Sequence, residues 1–411
     1  MTFCEYDLKK LKEQYGTPLY IFNAELLKQN IRDFKEYFKS SLFETDVIYA
    51  SKAFNVKEMI RIVRDENICL DCVSIWEIYT ALKVDFPMER IYFHGNNKSD
   101  EDLNFALDNK VWTIVVDNLW ELVALERLTQ SRQQKVDILI RLNTEIYAHT
   151  HKFIATADTD SKFWILFDSE ECKEMLEIVK RAEYINFLWF HSHIWSQIFD
   201  LTAFKVALEK LISYCKNFEQ PLVLDLWWWF AVHYTDEDKP IPFVEVSKIL
   251  IKYAEEISQS NWVKIKKLCI EPWRSIVGEA WATLYTIWYK KKTPNKQYYF
   301  IDWWMTDNIR PALYQAKYDA DIVWKENEPK DKIVTIAWNG CESWDLLIED
   351  YPIQEADTWD LLIMYTTWAY WYAMSSNYNK MLTPAVVFVE KDNAKLVVRR
   401  QTYDEMIERE E

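Results

Sequence analysis

Glycine is nearly missing from this chain: there are 4 in 411 residues, against 21 tryptophans. Average usage would give about 29 glycines, close to the combined count of the two residue types. With Gly16, Gly95, Gly278 and Gly340 alone, few positions can take a positive φ or bring bare backbone against a ligand. The tryptophans stand where glycine is usual. Trp227-Trp228-Trp229 follows an apolar strand, Trp303-Trp304 follows Ile301-Asp302, and Trp371 sits between Tyr370 and Tyr372. Three adjacent indoles at a strand end are hard to bury together, and each N–H needs a partner. Three glycines there would form a phosphate-cradling loop. The composition therefore predicts that most of these tryptophans are glycines in the organism, as when a UGA codon read as Gly by the cell is written as Trp. The alternative is a truly Trp-rich protein with aromatic binding platforms.

Basic charge is also in deficit. Lys and Arg number 49 against 65 Asp and Glu, a formal net charge of −16, which argues against a nucleic-acid or acidic-membrane partner. Seven cysteines, an odd number without a framework, fit a reduced cytoplasmic protein. Cys69 and Cys72 form a C-x-x-C, but no second pair follows at zinc spacing, so core cysteines and no metal are expected. The N-terminus is charged from Glu5 onward and does not read as a signal peptide. The uncharged stretch 361–379 is rich in Thr, Ser, Tyr and Asn and does not read as a membrane span. No low-complexity linker or short repeat is evident.

What is present is an alternation. Eight apolar runs, at 46–51, 68–74, 90–95, 113–117, 136–142, 185–193, 221–226 and 267–271, read as strands. Amphipathic helical patterns lie between them, for example at 56–65, 100–107 and 204–215, and another at about 24–39 precedes the first. This predicts parallel βαβ units closing into a (β/α)₈ TIM-like barrel over 26–278. After about residue 280 the texture becomes that of strands separated by turns: ATLYTIWYK, QYYFID, KIVTIA, DLLIM and AVVFVEKDNAKLVVR. Residues 279–411 with 1–25 are expected to form a β-rich second domain, to which TPLYIF lends a strand or helix. The acidic tail EMIEREE reads as a solvated helix end.

Barrel enzymes place their chemistry at the C-terminal strand ends. Those ends carry Ser51-Lys52, His94-Gly95-Asn96-Asn97, His191-Ser192-His193, Trp227-Trp228-Trp229 and Glu271-Pro272-Trp273-Arg274. Lys52 follows an apolar strand, where desolvation lowers an amine's pKa and suits it to attack a carbonyl; the plainer alternative is a loop lysine reaching solvent. His191 and His193 share a strand face, as a metal pair lacking an obvious third ligand, as a ring stacked on a flat cofactor, or as core histidines. His149 and His151 read as part of a loop over the site. With glycines at 227–229, bare N–H groups would face an anion, and Arg274 would add a charge-assisted bond. Glu271 either faces a ring nitrogen or makes a salt bridge. An aldehyde for Lys52, a phosphate for the loops after strands seven and eight, and a ring nitrogen for Glu271 together describe pyridoxal 5'-phosphate.

The chain also resembles the diaminopimelate decarboxylases, within the alanine racemase/ornithine decarboxylase fold type. The resemblance is carried by GTPLYIF, YASKAFN, DCVSIWE, FHGNNKS, AHTHKFI, HSHIWSQIFD, LDLWWWF, EPWRSIVGEAW, IDWWMTDNIRPALY, CESWDLL and TTWAYWYAMSSNYN, and covers nearly the whole chain. Reading Trp as Gly restores the family pattern at most of the 21 positions; Trp120, Trp262 and Trp324 fit it least. Ile75 departs from it, standing where the family has Gly.

The resemblance implies a lyase of lysine biosynthesis that converts meso-2,6-diaminopimelate to L-lysine and carbon dioxide. In it Lys52 would take the cofactor's aldehyde and His193 would stack on its ring. Ser196, the positions of Trp227, Trp228 and Trp229, Arg274 and Tyr370 would hold the phosphate, and Glu271 would pair with the pyridine nitrogen. Arg274, Arg310, Tyr314, Glu342 and Tyr370 would bind substrate, with Cys341 the proton donor. Cys341 and Glu342 would reach the partner subunit's site, so a cytoplasmic homodimer with shared active sites is implied. Competing readings are a decarboxylase of the same fold acting on ornithine, arginine or carboxynorspermidine, and a non-catalytic protein that binds the cofactor.

Overall fold

Eight short apolar runs are each buried on both faces when a parallel sheet closes on itself with helices outside it, and the chain does this. The computed structural model describes residues 2–3, 5–143, 162–193, 202–215, 222–227, 232–235, 237–261, 263–302, 305–338, 345–367 and 370–411. The chain divides into two compact units, one of Asn30–Ala231 and Pro240–Ser275, the other of Met1–Gln29, Val232–Lys239 and Ile276–Glu411.

The first unit is built on eight parallel strands: Glu44–Ala50, Cys69–Cys72, Ile91–Phe93, Thr113–Val116, Val136–Asn143, Ile185–His193, Leu222–Trp227 and Ile265–Ile270. Each pairs with the next, and the eighth pairs with the first, so the barrel is closed. All eight strands fall where the alternation places them. A small extra strand, Ile165–Leu166, extends the fifth.

Side chains alternate across a strand with a period of two, and this period stratifies the interior. Ile48, Cys69, Tyr92, Val115, Leu139, Val223 and Cys269, from seven different strands, form one buried apolar cluster with Leu188 of the sixth strand packed against it. Side chains from all eight strands meet only in the interior, so this is the apolar floor. Two residues further toward the C-terminal ends come Asp71, His94, Asp117, Arg141, Asp225 and Glu271, all buried. Cys69 and Cys72 are buried free cysteines of the second strand, as expected.

Helix starts are fixed by short polar caps placed just after the strands. Ser74 and Glu77 form a capping box for helix Ile75–Leu82, and Ser99 with Asp102 does so for Asp100–Asp108. The Asn118 side chain caps Leu119–Arg132. Each cap satisfies backbone N–H groups that the first helical turn leaves open and turns the chain back within a few residues of the barrel mouth.

In the second unit, Trp281–Lys292 is the central strand. It pairs with Gln297–Ile301, with Leu361–Tyr365 and with Leu19–Asn23, the strand lent by TPLYIF. Leu19–Asn23 also pairs with Ala385–Glu390, which forms a hairpin with Asn393–Val398. Lys332–Ala337 and Leu346–Ile353 extend the other side. The last of these strands, and Ala320–Ile322, were not legible in the alternation pattern: Leu346–Ile353 carries Glu349, Asp350 and Pro352, which break its apolar run. The tail forms helix Tyr403–Ile407, capped by Thr402 and Glu405. No described helix is long and apolar enough to cross a membrane.

Among the described residues, four tryptophans adopt left-handed or extended-positive backbone: Trp164 at φ 85°, Trp189 at 135°, Trp324 at 68° and Trp359 at 77°. A Cβ crowds the backbone in these regions, and φ near 135° is accessible in practice to glycine alone. Trp189 lies where the pairing of the sixth strand with the fifth slips by one residue, a bulge of the kind that glycine accommodates.

Candidate active site

Lys52 sits in a single 3₁₀ turn, Ser51–Ala53, that directly follows the first strand. Glu271 follows the eighth strand, its neighbour in the barrel, and is buried. Around them the polar tier brings together groups far apart in sequence. Nε2 of His94 is 3.0 Å from Oε1 of Glu271 and 3.9 Å from Oδ1 of Asp71. Nε2 of His191 is 3.9 Å from Oε2 of Glu271, and the His94 and His191 rings meet edge to face at 4.8 Å. Arg141 lies 3.5 Å from Asp117.

Burial sets the protonation of this tier. It lowers the Lys52 pKa, against the opposing pull of Asp71 and Glu271; Lys52 keeps partial solvent contact, which tempers the drop. Burial pushes Asp71 up to about 7 even though His94 opposes it. For His191, burial and then His94, Arg141 and Lys52 act in the same direction and hold the imidazole neutral. Glu271 differs: burial works to raise it, but His94, a hydrogen bond with Asp225 and the charge of Lys52 outweigh that and keep it below the usual carboxylate range. The mouth thus presents an amine that deprotonates more easily than usual and, on the adjacent strand, a fixed carboxylate.

The loop carrying His94 is pinned. Gly95 takes φ +117°, and a Cβ there would come 3.3 Å from the Val73 carbonyl oxygen. Lys98, buried, donates to Gly95 O at 2.7 Å, to Val115 O at 2.8 Å and to Glu121 Oε1 at 2.7 Å. One ammonium thereby ties the third strand's loop to the fourth strand and its helix. Removing one partner of such a buried pair costs about 3–5 kcal/mol, because the other charge is left uncompensated. Lys98→Met is therefore expected to lower unfolding free energy by about that amount, and Lys98→Met with Glu121→Gln to recover part of it. Denaturant midpoints at constant slope check both.

The structure brings Lys52, His191 and Glu271 to one mouth and places buried Arg274 at the start of the short helix Arg274–Val277 after the eighth strand. His193 ends the sixth strand, in register with Trp227. In the second unit, Arg310 and Tyr314 begin and end one helical turn; Nη1 of Arg310 donates to Tyr318 Oη at 2.8 Å, and Tyr370 precedes another turn at φ 77°. Ser196, Trp228, Trp229, Cys341, Glu342, His149 and His151 lie outside the described residues. Asp71, Asp117, Arg141 and Asp225 were missed from sequence. The available signal was a charge two positions beyond an inward apolar residue in an otherwise apolar strand.

Residues 25–278 match the family model described as the pyridoxal-binding domain of pyridoxal-dependent decarboxylases. The chain is 42% identical over 407 residues to the diaminopimelate decarboxylase of Bacillus subtilis, covering 98% of this chain and 93% of the relative. It is 41% identical to that of Bacillus methanolicus, covering 96% and 93%. The chain belongs to the diaminopimelate decarboxylase family. Among solved structures, family members from Helicobacter pylori and M. jannaschii, both complexed with L-lysine, share the fold. The first has a TM-score of 0.88 at 26% identity over 98% of both chains, the second 0.90 at 26% identity over 99% and 94%.

The residues present fit the cofactor that this family uses. A pyridoxal ring needs an amine for its aldehyde and an anion for its protonated nitrogen, and the mouth offers both on adjacent strands. The buried ring nitrogens of His191 and Oδ1 of Asp71 have no hydrogen-bond partner among the described residues, as befits a pocket lined to receive a polar guest.

Proposed function

We propose that this chain is a carboxy-lyase that removes one carboxylate of meso-2,6-diaminopimelate to yield L-lysine and carbon dioxide, the last step of lysine biosynthesis. The observation that carries this reading is that Lys52 and Glu271 follow the paired first and eighth strands, close enough for the Glu271 charge to act on the amine, in a chain 42% identical to a diaminopimelate decarboxylase over nearly its full length. Pyridoxal phosphate supplies an electron sink when bound. Lys52 would hold its aldehyde, and Glu271, kept ionised, would hold a proton on the ring nitrogen. His193 would face the ring, while Ser196, the backbone at 227–229, Arg274 and Tyr370 would hold the phosphate. Arg274, Arg310, Tyr314 and Tyr370 bind the substrate's carboxylate and distal groups. Cys341 of the partner subunit returns a proton to the carbon that loses carbon dioxide, and Glu342 of the partner subunit binds the distal amine, in a cytoplasmic homodimer. Residues 26–278 form the cofactor-binding domain and 1–25 with 279–411 the second. A site built to pair the distal groups discriminates strongly against substrates without them, because its own polar groups would go unpaired.

We infer also that most of the tryptophans are glycines in the native protein. The positive φ values at Trp164, Trp189 and Trp359 support this, and the value at Trp324 adds a position the family pattern favoured least.

The test is turnover by protein carrying glycine at the tryptophan positions. Carbon dioxide and lysine are expected from meso-diaminopimelate, with ornithine, arginine and carboxynorspermidine slower by about 10⁴-fold. Faster turnover of any of these would overturn the assignment.

A further inference from the structure

Asp225 stands on the seventh strand, opposite His191 of the sixth and Cys269 of the eighth, and is fully buried. Neither of its carboxyl oxygens meets a hydrogen-bond donor among the described residues. One of them nevertheless lies in a cluster with His94, His191 and Glu271 in which the facing atoms are all within 4.8 Å of one another. An ionised carboxylate sealed from water without a donor is very costly. Two carboxyl groups facing each other in such a place cannot both ionise. One proton between them turns repulsion into a short charge-assisted hydrogen bond.

The proton belongs on Asp225 for a geometric reason. Glu271 has His94 at 3.0 Å and Lys52, just past the neighbouring strand, to compensate a negative charge, whereas neither oxygen of Asp225 has a donor at hydrogen-bonding distance among the described residues. Burial, followed by the charge of Glu271 and the hydrogen bond to it, pushes the Asp225 pKa well up, in agreement with the geometry.

We propose that Asp225 is a positioning residue: it stays protonated in the folded chain and donates its proton to Glu271, fixing that carboxylate's charge and direction at the barrel mouth. This rests on the reading of Glu271 as the partner of the cofactor's ring nitrogen. Asp225 touches neither cofactor nor substrate in this scheme and acts through Glu271. The assignment also explains why a seventh strand that is otherwise apolar, Leu222-Val223-Leu224-Asp225-Leu226, carries one acid in its middle.

The test begins with the cofactor-free chain, so that it does not depend on catalysis. Infrared spectra taken well above pH 7, where Asp71, pushed up to about 7, is ionised, are expected to show the carbonyl stretch of a buried neutral carboxylic acid, and Asp225→Asn to remove it. Asn keeps the shape and a donor, so Asp225→Asn is expected to bind pyridoxal phosphate within about threefold of the parent. Asp225→Leu, which has no donor, is expected to bind it about tenfold or more weakly, the scale of one lost hydrogen bond to a charged group. Absence of the neutral-acid band in the parent overturns the proposal without requiring any variant to fold. Equal affinity of the Leu variant and the parent also overturns it. Glu271→Gln separates the two claims. If that variant binds cofactor and turns over like the parent while the Asp225 band persists, the reading of Glu271 fails and the proton assignment stands. If Glu271→Gln is inactive and the band is absent, the proton assignment alone fails.

Discussion

Lys52→Ala is expected to abolish turnover, by roughly 10³–10⁴-fold or more, and to remove the visible absorbance of lysine-bound pyridoxal phosphate. The expectation comes from where the amine sits. A lysine on an exposed loop is protonated and inert near neutral pH, but desolvation at this mouth favours the neutral, nucleophilic form. Asp71 and Glu271 pull the other way, so the amine is poised between the two. Lys52→Arg separates charge from nucleophilicity. It keeps a cation near both carboxylates but offers no amine that deprotonates. It is expected to fold as stably as the parent, measured by thermal unfolding without cofactor, and still to show neither turnover nor the absorbance. Activity in either variant would remove Lys52 from the reaction.

The second large effect concerns the strand-seven loop. A chain made with tryptophan at 227, 228 and 229 is expected to bind pyridoxal phosphate far more weakly than one with glycine at all three. Hydrogen bonds to a charged group contribute about 1.5–3 kcal/mol each, so losing two backbone donors to the phosphate costs roughly 10²–10⁴ in affinity. Titration of cofactor absorbance into both proteins gives the ratio. Equal affinities would mean that the indoles are tolerated and that the phosphate is held elsewhere. The intact mass of protein purified from its own source decides the residue identities independently: full tryptophan mass at these positions refutes the glycine reading.

Much of the first unit was legible because parallel strands buried on both faces leave near-continuous apolar runs. INFLWFHSH and the observed Ile185–His193 coincide end to end, and Lys52 and Glu271 could be named because they follow such runs. The polar tier was harder to see. Asp71 and Asp225 look like isolated charges in sequence, and only closure of the barrel shows that they face His94 and Glu271 from other strands. His191 is brought against His94, Asp225 and Glu271 in the same way, from 34 to 97 positions away. In the second unit Leu346–Ile353 escaped notice because half of it is solvated and its exposed side chains interrupt the apolar pattern.

The bulge at Trp189 has a consequence beyond chemistry. A backbone held at φ 135° in the sixth strand accepts a side chain only under strain. If the codon there means glycine to its owner, any recipient cell with the common code would install an indole in the barrel wall, and others at 164 and, in the second unit, at 324 and 359. The gene would then be unusable outside lineages sharing its dialect, and its inheritance would be walled off by translation itself.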